Sequence, residues 1–415
     1  MPLLVVAVFA VAAAFHGDRA RPDPADGVVE RTTAVSKRVE EIRSLRFREL
    51  PTPEVISNDQ AREEGAAELR RSYPRRERLA DEEVLKLLGL LEPGADLQEI
   101  GSEIYGGQVA GFYDTRKERL AVVSGAKTGS TEAELTLAHE LTHALEDQRF
   151  SLRDDADQDD RALAYQSLVE GTATGVMVEY LRRHLSSSDA LTDLLSGAGA
   201  EQASLEKLPP YVRAQLTFPY ESGAGFVERL LREGGGGWTL VDAALSERPP
   251  VSSEQILHPD VYLRGEEPDR VALDVGGALG DGWRRRDRGS LGEFDARQLL
   301  ASAGRANAER AAQGWGGGRF ELWQRGSVEG CDAPCRDRDV LAVGFRWDSA
   351  RDAREFEQVL EAALQERGAR PDGVAQSLAG GAVATRRTAR TTALVFAPDP
   401  ELADRLTASI ASGDG

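Results

Sequence analysis

The residues of this chain whose types and spacing could do chemistry are two histidines and a glutamate. They lie in Leu137-Ala-His139-Glu140-Leu141-Thr142-His143-Ala144-Leu145-Glu146-Asp147. Four residues advance an α-helix by slightly more than one turn, so His139 and His143 project from one face, stacked a turn apart. Two imidazoles so placed can both reach one zinc ion. Glu140 lies beside them without being needed as a ligand. A carboxylate there can take a proton from a water that the metal has acidified, and later pass it to a leaving amine. The chain holds only five histidines in 415 residues. At that supply the pattern arises by chance in roughly one such chain in two hundred. The apolar residues Leu137, Ala138, Leu141, Ala144 and Leu145 predict a mostly buried helix, in which histidines need partners.

A catalytic zinc usually takes three protein ligands and leaves one position open. His184 and His258 are available, but Glu170 is the better candidate. It sits in Leu163 to Met177, where Leu163, Leu168, Val169, Ala173, Val176 and Met177 flank it with apolar side chains. A charge in such surroundings calls for a partner, and a metal ion is one. The segment between the two helical patterns is long enough to fold the second back on the first.

These residues resemble a known group. HELTHA with a following Asp, and then a helix carrying Glu170-Gly171-Thr-Ala173, is similar to the gluzincin metallopeptidases, the thermolysin-like enzymes. The resemblance is tight over 135–148, moderate over 163–175 and weak elsewhere. It implies a zincin-like fold, zinc as cofactor, His139, His143 and Glu170 as ligands, Glu140 as general base, and hydrolysis of a peptide bond without a covalent intermediate. It also implies an edge strand before the active-site helix that binds substrate backbone, where Val109 to Tyr113 stands. Gluzincins often carry an Asp four residues after the ligand Glu to orient a zinc histidine; here that position is Thr174. The role then passes to another group, with Asp147 as candidate. His258, with Tyr220 and Tyr262 behind it, is the candidate to stabilise the oxyanion, the alternative being an ordinary histidine at a helix C-terminus. The stretches GFYDTRKERLAVVSG, HELTHALEDQRFSL, LVEGTAT and SSEQILHPDVYL also resemble bacterial exported proteins with a predicted peptidase domain. Two rivals stay open: a catalytically silent zinc-fold scaffold of the cell envelope, and a zinc hydrolase of non-peptide amides.

The elements that must position these residues predict an α+β fold. Helices are expected over 30–44, 59–72, 80–91, 131–147, 160–186 and 205–232, the last broken at Phe218-Pro219-Tyr220. The stretch Phe47 to Ile56, with two prolines, reads as an edge strand. Val109 to Tyr113 and Arg119 to Ser124 read as a hairpin. The acidic stretch 154–160 reads as a solvated loop, with calcium binding as the lesser alternative. From about residue 315, strands at Arg319–Trp323, Leu341–Trp347 and Thr392–Phe396 and helices at 349–367 and 399–411 predict a separate α+β module. The expected organisation is an apolar segment and linker over 1–27, a zincin-like catalytic domain over 28–270, a helical connection over 271–314 and an accessory module over 315–415.

A net charge of -19 without a long basic run argues against nucleic acid as a partner. The expected partner is a peptide or protein substrate. Leu3 to Ala14 is one apolar run, too short to span a bilayer but suited to a signal peptide, although no Lys or Arg precedes it. This predicts an extracytoplasmic protein with at most a short N-terminal membrane association. The two cysteines, Cys331 and Cys335, can form a small disulfide loop or stay as two thiols.

Overall fold

The computed structural model describes residues 25–106, 111–123, 131–152, 159–185, 205–326, 334–372, 375–378 and 380–411. The apolar run at 3–14 lies outside them, as do residues 154–158 of the acidic stretch. No helix of the described residues is long and apolar enough to cross a membrane.

The chain is α+β. Its first part contains helices α1 (Ala25–Arg43), α2 (Asn58–Ser72), α3 (Arg75–Leu88), α4 (Leu97–Gly106), α5 (Thr131–Phe150), α6 (Asp159–His184), α7 (Pro210–Glu233), α8 (Thr239–Ser246) and α9 (Ser253–Leu257). A small sheet, ordered β1-β3-β2, is made by Glu54–Ile56 (β1), Gly111–Asp114 (β2) and Arg119–Val123 (β3). β1 runs parallel to β3, and β2 pairs antiparallel with β3 in the expected hairpin. β2 is therefore an edge, and its outer backbone groups face away from the sheet. The expected strand at Phe47 to Ile56 shrinks to its last three residues, because Pro51 and Pro53 cannot donate to a ladder.

Helix α3 ends at Leu88, five residues before Pro93, because Gly89 turns left-handed at φ 69°. Helix α7 runs unbroken through Pro219, where a break is expected. The Pro219 ring removes one N–H, so the Gln215 carbonyl loses its helical donor. The apolar residues Tyr211, Val212, Phe218, Phe226 and Val227, all buried, hold the helix together on both sides of that gap.

A seven-stranded antiparallel sheet, ordered β4-β5-β6-β10-β9-β8-β7, forms the second part. Its strands are Trp283–Ser290 (β4), Trp315–Arg325 (β5), Asp339–Trp347 (β6), Arg370–Asp372 (β7), Ala375–Leu378 (β8), Gly381–Thr388 (β9) and Thr391–Ala397 (β10). Alternation along β6 shows how the sheet is covered on both faces. Leu341, Val343 and Phe345 pack with Phe356 and Leu360 of helix α11 (Ala350–Glu366). Val340 and Ala342 point the other way, toward Leu402, Ala403 and Leu406 of helix α12 (Pro400–Ala411). Helix α10 (Glu293–Leu299) lies between β4 and β5 in the chain and packs Phe294 against Phe218 of α7, with ring centroids 5.0 Å apart.

Two expectations about organisation change here. The stretch 271–314 is not purely helical, since β4 within it forms one edge of the large sheet. Nor does the second part stand apart. One hydrophobic core runs from Leu69, Leu85 and Leu88 through Leu168 and Phe226 to Phe345 and Phe356. Arg367 of the second part also donates to the carbonyls of Leu88 and Leu299.

At the crossing of α6 and α7 the two helix backbones touch. A Cβ built on Gly171 would overlap the backbone of Gly223, and one built on Gly223 would overlap the Ser167 carbonyl. Glycines here let two helix backbones touch directly beside Glu170. We expect Gly223→Ala to force the helices apart and destabilise the chain by about 1–3 kcal/mol, read as a lower urea midpoint. A midpoint equal to wild type would mean that this contact does not set the helix spacing.

Candidate metal centre

Helix α5 carries His139, Glu140 and His143, and residues 135–146 of it are all buried. Polar anchors fix its rotation. Arg43 of α1 donates Nε to Glu146 Oε1 at 2.7 Å, with both side chains fully buried, and Nη2 to Asp242 Oδ1 at 2.7 Å. The guanidinium also lies 4.3 Å from the Trp238 ring, a cation–π contact. Burial pushes the Glu146 carboxyl up to about 7, and the Arg43 charge works against that rise.

The two histidines and Glu170 converge, although 31 residues separate His139 from the carboxylate. His139 Nε2 stands 3.1 Å from Glu170 Oε2, His143 Nε2 stands 3.6 Å from the same oxygen, and the two Nε2 atoms are 3.0 Å apart. All three side chains are fully buried. Donors placed tetrahedrally about one zinc at 2.0–2.1 Å are separated by roughly 3.3 Å. The three separations bracket that value, so the donor set fits a single zinc-sized cation. The imidazoles meet edge-on, with centroids 4.6 Å apart at 85°. In this arrangement both nitrogens and the carboxylate oxygen address one point.

Protonation suits the same task. Burial lowers His143 to about 4, and Glu170 opposes the shift only in part. Burial also works to raise Glu170, but hydrogen bonding from the two imidazoles reverses this and holds the carboxyl at about 2. A neutral imidazole and an ionised carboxylate are the forms that coordinate a metal.

Glu140 is 1% exposed, and its Oε2 accepts a hydrogen bond from the Tyr113 backbone N–H of β2 at 2.9 Å. Burial pushes its carboxyl well up, and the Glu170 charge adds to this, while the Tyr113 N–H opposes both. Its other oxygen, Oε1, has no hydrogen-bond partner among the described residues. A small, largely apolar pocket opens against Glu140, bounded by Val28 and Arg31 of α1, Gly111, Leu120 and Val122 of the sheet, and Leu137.

The structure does not bring His258 to this cluster. Its Nε2 lies 3.0 Å from Glu293 Oε2, and Arg297 Nη2 approaches within 3.4 Å. That ion cluster belongs to α10, and the sequence carries no sign that Glu293 captures the ring. Tyr262 is not at the centre either, since its hydroxyl donates to the Arg248 carbonyl. Tyr220 alone of the three lies there, with its ring 6.2 Å from that of His139 and nearly parallel to it. Asp147 does not orient a histidine: its Oδ2 accepts from the Tyr113 hydroxyl at 3.0 Å and its Oδ1 from the Leu152 N–H. It ties β2 to the end of α5. Thr174 Oγ1 has no partner among the described residues, nor does His139 Nδ1.

Asp160, at the end of the acidic stretch, is not solvated. It is 4% exposed, accepts from the Ser253 N–H, and is pushed up to about 7 by burial. Burial likewise raises Asp81 to about 7 and Glu254 to about 9, the latter helped by Glu293. Each of these acids binds its proton more tightly folded than unfolded. Their stabilising contribution is complete below about pH 4 and is lost as pH rises through about 7 to 9. We therefore expect a lower urea midpoint at pH 8.5 than at pH 5.5. A midpoint that rises over that interval would contradict the account of these buried acids.

A family described as a domain of unknown function (DUF8575) matches residues 280–407, which span the large sheet and most of its helices. No curated protein and no solved structure matches the chain.

Proposed function

We propose that the chain is a zincin-like zinc metallopeptidase of the gluzincin type, acting outside the cytoplasm on peptide or protein substrates. The observation that carries this reading is the convergence of His139, His143 and Glu170 with Glu140 as their neighbour. A silent scaffold would need the three ligands but not the buried carboxylate of Glu140. The disulfide at Cys335 supports an oxidising compartment.

When bound, zinc supplies Lewis acidity, which polarises a carbonyl oxygen and brings the pKa of a water toward neutrality. His139, His143 and Glu170 would hold the ion. In the loaded site the Glu170 charge that raises Glu140 would be offset. Glu140 takes the proton of the attacking water at the carboxylate and returns it to the leaving amine. The Tyr113 N–H steadies that carboxylate at Oε2, and Oε1 serves the proton transfer. The outer edge of β2, at Gly111 and the Tyr113 carbonyl, pairs with the extended substrate backbone. Tyr220 takes the place expected for His258 and donates its hydroxyl to the oxyanion.

Cleavage of casein by the purified chain, before and after chelation, tests this. Chelation should abolish cleavage and zinc should restore it. Cleavage that persists unchanged in excess chelator would rule the reading out. Tyr220→Phe should keep its zinc and lower kcat by about 10²–10³ with KM little changed. His258→Ala should leave kcat within about twofold of wild type, because it touches none of the groups above.

A further inference from the structure

A second group of metal-ligating side chains lies far along the chain from the first. Glu83 of α3, Cys335 and Asp339 of β6 are all buried, and their ligand atoms lie within 4.8 Å of one another. Cys335 is disulfide-bonded, and the chain has one other cysteine, Cys331, which lies outside the described residues. The Cys335 N–H donates to Glu83 Oε1 at 2.8 Å, and Gln324 Nε2 donates to Asp339 Oδ1 at 2.7 Å. Asp339 is 1% exposed, and its Oδ2 has no hydrogen-bond donor among the described residues. Two buried carboxyl groups in contact need either a proton or a cation between them.

We infer that Glu83, Asp339 and Cys335 form a second, redox-gated site for a thiophilic divalent cation such as zinc once the Cys335 disulfide is opened. One thiolate sulfur and two carboxylate oxygens are a competent zinc donor set, with a fourth position left for water. Their three negative charges against two on the ion leave one in excess. Arg336, whose charge acts on Glu83, balances it, since Lys86 beside them is paired with Glu82 at 2.7 Å. Arg336 and Asp339 also line a small cavity with Leu378 and Ala382, which gives an entry path.

A dithiol drives the opening. Its two electrons and two protons convert the disulfide sulfurs to two thiols, and the dithiol leaves as a cyclic disulfide. The entering cation then displaces the Cys335 thiol proton and the proton held between Glu83 and Asp339. The site joins α3 to the large sheet, so occupancy would tighten the seam between the two parts of the fold in the reduced state.

Zinc content of the full-length chain after equilibration and desalting tests this, with Cys331→Ser supplying the free Cys335 thiol without reductant. The oxidised wild type should hold one zinc and Cys331→Ser two. Adding Glu83→Gln or Cys335→Ser to the wild type or to Cys331→Ser should give one, with second-site affinity reduced at least ~10-fold. In a His143→Ala background the counts should each fall by one, which separates this site from the first. With cobalt as probe, Cys331→Ser alone should add a sulfur-to-metal charge-transfer band. Equal zinc in wild type and Cys331→Ser, or extra zinc that survives both Glu83→Gln and Asp339→Asn, would overturn the inference.

Discussion

Glu140→Gln should bind zinc as the wild type does and lose at least about 10³-fold in kcat. The amide keeps the shape of the carboxylate and its acceptor oxygen, so the hydrogen bond from the Tyr113 N–H at 2.9 Å survives. The three metal donors are untouched, because Glu140 is not among them. What disappears is a group that accepts a proton. General-base catalysis alone contributes typically 10²–10⁴, and in the proposed mechanism the same carboxylate also serves the leaving amine. Removing a buried acid with a raised pKa should also leave the fold at least as stable, since burial disfavours its charged form. Zinc content, kcat and thermal midpoint, measured together, check the three parts. A variant with wild-type kcat would remove Glu140 from the mechanism.

Glu170→Ala should lose zinc outright, with cleavage falling to the level of the chelated wild type. Among the described residues the carboxylate is the sole acidic donor placed with both imidazoles, at 3.1 Å and 3.6 Å. Two histidines alone make a weak site, and the apolar flanks of α6 supply nothing in its place. Glu170→Asp is the sharper variant. It keeps the charge but withdraws the oxygen by about one methylene, while the glycine contact of Gly171 with Gly223 holds the α6 backbone where it is. The helix cannot follow the shortened side chain, so zinc affinity should fall at least 10-fold. Full occupancy in Glu170→Ala would assign the third ligand to another residue.

These two outcomes rest on what the sequence makes legible. Helix α5 could be read because both signals are local: histidines one turn apart, set among apolar residues at helical spacing. Glu170 could be read because a charge inside a long apolar pattern demands a partner. His258 could not be placed, since its partner Glu293 lies 35 residues away and nothing in either stretch announces the pair. Asp147 looks poised for His143 by helical spacing, but the Tyr113 hydroxyl, 34 residues back, claims it first. β4 was hidden by its composition. Trp-Arg-Arg-Arg-Asp-Arg-Gly-Ser shows no alternating apolar pattern, because an edge strand needs few core residues. Pro219 signals a break, yet packing on both sides of it outweighs one missing hydrogen bond. The glycine pair could have been found: Gly171 and Gly223 sit inside helical runs where alanine would serve better, which marks close backbone approach. The module boundary slipped for the same reason as β4.

X-ray absorption at the zinc edge of the oxidised, full-length chain tests the convergence of the three donors most directly. Two imidazole nitrogens and one or two oxygens at about 2.0–2.1 Å, with no sulfur, is the predicted shell. Replacing Glu170 should remove the signal rather than change its oxygen content. A shell containing sulfur, or one that keeps a single imidazole, would contradict the assignment of His139, His143 and Glu170 to one metal.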